Sequence, residues 1–150
     1  MLDRNCTEVT KVTRVKVGEK GRHAVFLNPE KREYLKIRID GCIIVNQTAC
    51  DYLVARDDVV GVLIELKGTD LPRALKQIEE TLEYLKNKKV KYSRMAALIV
   101  CRSPSRHPSF TPKIQLFKNR LMSQHRMPLH IVTGNHEFEM EKVLSFRKPF

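Results

Sequence analysis

The chain has 150 residues, a formal net charge of +11, 42% hydrophobic and only 7% aromatic residues. That length supports one hydrophobic core, so a single domain over residues 1–150 is expected. No apolar run approaches the ~20 residues of a membrane helix, and the lack of tryptophan argues against a base-stacking platform for single strands.

Charge is unevenly distributed. Residues 1–85 hold 14 basic and 14 acidic side chains, and residues 86–150 hold 14 and 3. A basic portion of this kind is the electrostatic footprint of a polyanion partner, since each phosphate neutralised releases counterions. Cys6, Cys42, Cys50 and Cys101 show no C-x-x-C pair, and no secretory leader pattern is present, so they read as reduced, packed cysteines of a cytoplasmic protein. The five histidines lack any zinc-ligand spacing.

Nothing before Tyr34 reads as a helix, which leaves Glu8, Glu19 and Glu33 outside any expected site. Tyr34 to Val45 alternates apolar and charged residues over its first half, as a half-exposed strand does, and Gly41 marks a bulge or bend. Asp40 there is either neutralised by its strand neighbours or a support to a site on the adjacent strand. Asp51 to Ala55 is the next strand, and Arg56-Asp57-Asp58 the turn of a hairpin. Pairing Ala55 with Val59 sets Asp51 opposite Leu63 and diagonal to Glu65, roughly 7–8 Å away at the backbone, a span one cation bridges.

Gly61 to Gly68 is a buried strand that ends in Glu65-Leu66-Lys67, the only acid-x-Lys triplet of the chain. Alternation puts Glu65 and Lys67 on one face. Charge in such a run is strongly disfavoured unless paired or bound to metal. An amphipathic helix follows, with Thr69 or Asp70 as N-cap, Pro72 in its first turn, and Leu71, Leu75, Ile78, Leu82 and Leu85 as its core stripe. Ala74, Gln77, Thr81 and Tyr84 form a second stripe beside it.

Arg94 to Cys101 reads as a buried strand parallel to its predecessor. The loop after it carries Arg102, Arg106 and His107, and Lys113 opens the helix beyond. These are the expected phosphate contacts, because ligands bind beyond the carboxyl ends of parallel strands. Met127 to Thr133 is a short strand, and His136 to Glu141 an extra strand or a terminal helix.

Asp51, Glu65-Leu66-Lys67 and the helix carrying Gln77 together resemble the PD-(D/E)XK nuclease superfamily, over roughly Ile37 to Leu85. Arg38-Ile39-Asp40-Gly41-Cys42 and Cys50-Asp51-Tyr52-Leu53 resemble small bacterial members of it. The resemblance implies an α/β fold with a three-layer, restriction-endonuclease-like core: an antiparallel meander, then parallel strands, flanked by helices. It implies that Asp51, Glu65 and the Leu66 carbonyl hold Mg²⁺ or Mn²⁺, that Lys67 positions the attacking water, and that Gln77 orients the site. Cys50 stands where the family has proline, and Tyr84 follows Gln77 by seven residues instead of four. The activity implied is metal-dependent phosphodiester hydrolysis, on DNA more than RNA, with no membrane partner and with room for a homodimer. A nuclease scaffold that binds without cutting, and a phage-defence or toxin component, are the alternatives.

Overall fold

Strand pairing follows the apolar runs of the sequence. The computed structural model describes residues 2–19, 21–67, 70–101 and 112–150, Lys67 by its backbone alone. It is a mixed α/β structure around a six-stranded sheet in the order β1-β4-β5-β6-β7-β8. β1 (Thr7–Thr10), β4 (Tyr34–Arg38), β5 (Tyr52–Arg56) and β6 (Val60–Lys67) pair antiparallel, whereas β7 (Arg94–Cys101) and β8 (Leu129–Thr133) continue parallel to β6. The expected change from antiparallel meander to parallel strands is thus present, and it falls at β6.

α1 (Leu71–Asn87) makes the crossover from β6 to β7. Its N-cap is Asp70, whose Oδ1 accepts from the Arg73 N–H at 3.1 Å; Thr69 lies outside the described residues. Leu71, Leu75, Ile78, Leu82 and Leu85 are all buried, as their spacing requires. They pack with Ile114 and Phe117 of α2 (Pro112–Arg120) against Leu35, Ile37, Leu53, Leu63 and Ile99. Truncating Leu63, fully buried in this layer, to alanine would cost about 2–5 kcal/mol.

The long helices α1 and α2 both cover this face. The other face of the sheet, with Val54, Val62, Ile64, Leu98 and Val100, packs on Val15, Val17, Phe26 and Phe138. These belong to a second, three-stranded sheet of β2 (Arg14–Glu19), β3 (Arg22–Leu27) and β9 (Glu137–Phe138). A short α3 (Met140–Val143) adds Met140 and Val143. The layer expected to be helical on this side is therefore a sheet, because Arg14 to Glu19 alternates at the period of a strand and Ala24-Val25-Phe26 is a short apolar run too brief for a helix.

Gly18 lets this small sheet approach closely. Its φ is +101°, and a Cβ there would lie 2.4 Å from the Arg22 carbonyl oxygen and 2.6 Å from Leu66 Cδ1. Only glycine fits such a position without strain.

Two expectations are corrected. Cys6 and Cys42 form a disulfide, 36 residues apart, that ties the turn before β1 to the turn after β4; Cys50 and Cys101 are free and buried. The hairpin pairs Ala55 with Gly61 instead of Val59, around a turn in which Asp57 and Asp58 both take positive φ, 54° and 52°. Aspartate tolerates that left-handed backbone better than most residues. Among the described residues, no helix is long and apolar enough to cross a membrane.

Candidate active site

The corrected register changes how the two acids face each other. Tyr52 pairs with Ile64 as the last rung of the ladder, a register that, continued by one residue, runs toward Asp51 opposite Glu65 instead of diagonal to it. Asp51 Oδ2 accepts from the Leu66 backbone N–H at 2.8 Å. Its carboxylate therefore closes the end of the β5–β6 ladder, where the strand pairing itself has stopped. Glu65 is only 1% exposed, while Asp51 is half-buried and reaches the surface.

The chain entering Asp51 is fixed by the second stripe of α1. Gln77 Nε2 donates to the Ala49 carbonyl at 3.1 Å. Thr81 Oγ1 accepts from the Cys50 N–H at 2.9 Å and donates to the Gln77 carbonyl at 2.7 Å. The Tyr84 hydroxyl donates to the Ile43 carbonyl at 3.3 Å. Three polar residues at helical spacing thus tie the non-repetitive segment before Asp51, and Gln77 acts on the backbone two residues ahead of that acid. Its Oε1 is buried without a hydrogen-bond partner among the described residues.

Cys50 is fully buried, and burial pushes its thiol far up, against a weaker pull from Thr81, with the Glu65 and Asp51 carboxylates adding to the rise. A thiol held protonated is no nucleophile, so Cys50 packs.

Asp51 lines a cleft of about 270 Å³ with Tyr52, Leu66, Gly18, Glu19, Gly21 and Arg22. The tip of the β2–β3 hairpin supplies Glu19 and Arg22, two residues outside the site expected from the sequence. Their signal was present: Val15 and Val17 alternate with Arg14, Lys16 and Glu19, and glycines bracket the turn. A neighbouring cleft of about 340 Å³ shares Gly18 and Tyr52 and adds Lys16, Lys36, Arg38 and the disulfide.

The remaining candidates are scattered. Asp40 is exposed, its N–H bonded to the Cys50 carbonyl at 3.1 Å. Lys113 is exposed in the first turn of α2 and lines neither cleft. Arg102, Arg106 and His107 lie outside the described residues, as does the Lys67 side chain. Among the described residues, no three His, Cys, Asp or Glu side chains stand close enough together to hold a metal ion. No family model, curated protein or solved structure matches the chain.

Proposed function

We propose that the chain is a metal-dependent nuclease on a restriction-endonuclease-like core, hydrolysing phosphodiester bonds of nucleic acid, DNA before RNA. One observation carries this reading: Asp51, just before β5, accepts the N–H of Leu66, the residue next to Glu65, so the two acids lie at the same end of the β5–β6 ladder, on the strand where the parallel half of the sheet begins. A charged group at the end of an apolar strand is costly unless it is paired, hydrogen-bonded or bound to a metal.

The donors fit a hard cation. Two carboxylates and the Leu66 carbonyl form an all-oxygen set, and Mg²⁺ keeps most of its waters, so few protein ligands suffice. Mg²⁺ or Mn²⁺ held there would polarise the scissile phosphate and lower the pKa of a bound water. The chain's own residues position the parts. The Leu66 N–H orients Asp51, Gln77 and Thr81 fix the backbone leading to it, and Lys67, two residues beyond Glu65, positions the water. Gln77 is accordingly a positioning residue. Glu19 and Arg22 line the approach to Asp51, with Arg22 available to a phosphate.

The test incubates the protein, Glu65→Ala and Lys67→Ala with supercoiled, linear, single-stranded and branched DNA and with RNA, in Mg²⁺, Mn²⁺ or EDTA. Metal-dependent cleavage by the parent chain alone, with binding kept in both variants, is the expected result. The near-complete burial of Glu65 favours a second reading, a scaffold that binds nucleic acid without cutting. Equal binding by all three proteins with no cleavage on any substrate would select it.

A further inference from the structure

At the other end of the sheet from Asp51 lies a hollow of about 1090 Å³, where α1 ends, β7 begins and the turn after α2 closes. Lys86, Lys89, Lys91, Arg94, His125 and Arg126 line it, and no acidic side chain does. Arg94 is engaged by Glu141. Lys86, Lys89, Lys91 and Arg126 form no ion pair among the described residues.

The floor is apolar. Leu85 and Met127 are buried beneath, and Val90, Tyr92 and Met95 are partly buried above them. Lys89 and Arg126 both hold left-handed backbone, φ 58° and 53°, at helix ends where glycine or asparagine is the easy choice. The negative pole of α1 accounts for Lys86. It does not account for Lys91, beyond the helix, or for Arg126, which arrives from a different element.

The hollow is separate from the Asp51 cleft. The eight residues of β7 put roughly 23 Å between their ends.

We propose that this hollow binds a nucleotide-class ligand, an aromatic ring bearing two or more phosphates. Lys86, Lys89, Lys91 and Arg126 converge without an ion pair among the described residues, and an anion of several charges relieves their mutual repulsion. A bare inorganic anion would leave the floor uncovered, and an apolar ligand would leave the cations unmet. The size is of the order of organic-ligand sites, ~300–1,000 Å³, and far beyond one phosphate. The partly buried Tyr92 ring and Met95 thioether are partners for an aromatic ring, and the flexible lysines for phosphate.

The test titrates ATP, adenosine, inorganic tripolyphosphate and a short single-stranded oligonucleotide into the full chain by calorimetry, without metal. The variants are Lys89→Asn/Arg126→Asn, which keeps residues tolerant of left-handed backbone, and Lys11→Asn, exposed between β1 and β2, as the control. ATP is expected to bind the parent chain and the control equally, about tenfold or more weakly to the double variant, and better than adenosine or tripolyphosphate. Absence of ATP binding at millimolar concentration overturns the proposal, as does tripolyphosphate binding as tightly as ATP. Oligonucleotide binding lost in the double variant, with no ATP binding, overturns it in favour of a nucleic-acid track.

Discussion

The Asp51 carboxylate accepts the Leu66 backbone N–H at 2.8 Å, so a side chain from one strand completes the hydrogen bonding of its neighbour where the ladder runs out. An acid in that position has a structural duty whatever its chemistry. Asp51→Ala is expected to cost about 1–3 kcal/mol, the range for a charge-assisted bond whose removal strands a donor. Asp51→Asn keeps an acceptor oxygen and should cost less than half as much. Urea unfolding measures both. If cleavage is lost in Asp51→Asn while most of its stability is kept, the carboxylate charge is needed for more than the bond to Leu66.

Thr81 is the hinge of the polar stripe on α1, accepting from Cys50 and donating to Gln77 at once. Thr81→Val is nearly isosteric but leaves the buried Cys50 N–H unmet, at about 1–3 kcal/mol. Thr81→Ser retains both bonds and should recover most of the loss. Slower cleavage in Thr81→Val at temperatures where it is fully folded, restored in Thr81→Ser, would tie this stripe to the placement of Asp51.

What the sequence could and could not reveal follows from the range over which each signal acts. β6, β7 and α1 were legible because their patterns are local: unbroken apolar runs, and leucines three and four apart behind Asp70. The β2–β3 hairpin is equally local, with Arg14 to Glu19 alternating and glycines about its turn, but its packing on the main sheet, which brings Glu19 and Arg22 to Asp51, is a long-range contact. The hairpin register was not legible, because it depends on Asp57 and Asp58 both adopting left-handed backbone, which nothing in their identity enforces. The Cys6–Cys42 pairing depends on β1 lying antiparallel beside β4, a contact between segments that carry no mark of each other. Gln77 is legible from sequence as a residue beside the core stripe of α1, but its partner, the Ala49 carbonyl, is not, because that contact joins segments distant in the chain.

The disulfide closes a loop between positions 36 apart, for which the chain-entropy account gives about 3–4 kcal/mol. Reduction, or Cys6→Ser/Cys42→Ser, is expected to lower the melting temperature and to loosen β1 first, since β1 is an edge strand. Alkylation of the unfolded chain followed by mass spectrometry should label two cysteines without reductant and four with it. Four labels without reductant would mean that the bond does not form in solution. In the native chain Cys50 and Cys101 should react slowly, because both are buried and burial raises both thiols, Cys101 to about 11.

The C-terminal segment is held to the sheet by two groups that respond to acid in different ranges. His130 Nε2 lies 2.7 Å from the Val143 carbonyl and 3.0 Å from that of Ser145, contacts a neutral ring makes by donating. Burial lowers the His130 pKa from 6.5, so the unfolded chain takes up a proton that the folded one resists. Its share of stability is therefore present above pH 6.5 and declines as pH falls below that value. Glu141 meets Arg94 and Arg56, and hydrogen bonds from Arg94 first, then Arg56, hold its carboxyl at about 2 against an ordinary 4.5. Its contribution is present above pH 4.5 and is lost between there and about 2. Solvent exposure keeps it to roughly 1 kcal/mol or less, and salt weakens it. Amide exchange should therefore show Val143 to Ser145 opening below pH 6.5 while β6 and β7 stay protected, with a second loss below pH 4.5 that Glu141→Gln removes. Simultaneous opening of α3 and the central sheet at every pH would mean that neither group acts as a separate latch.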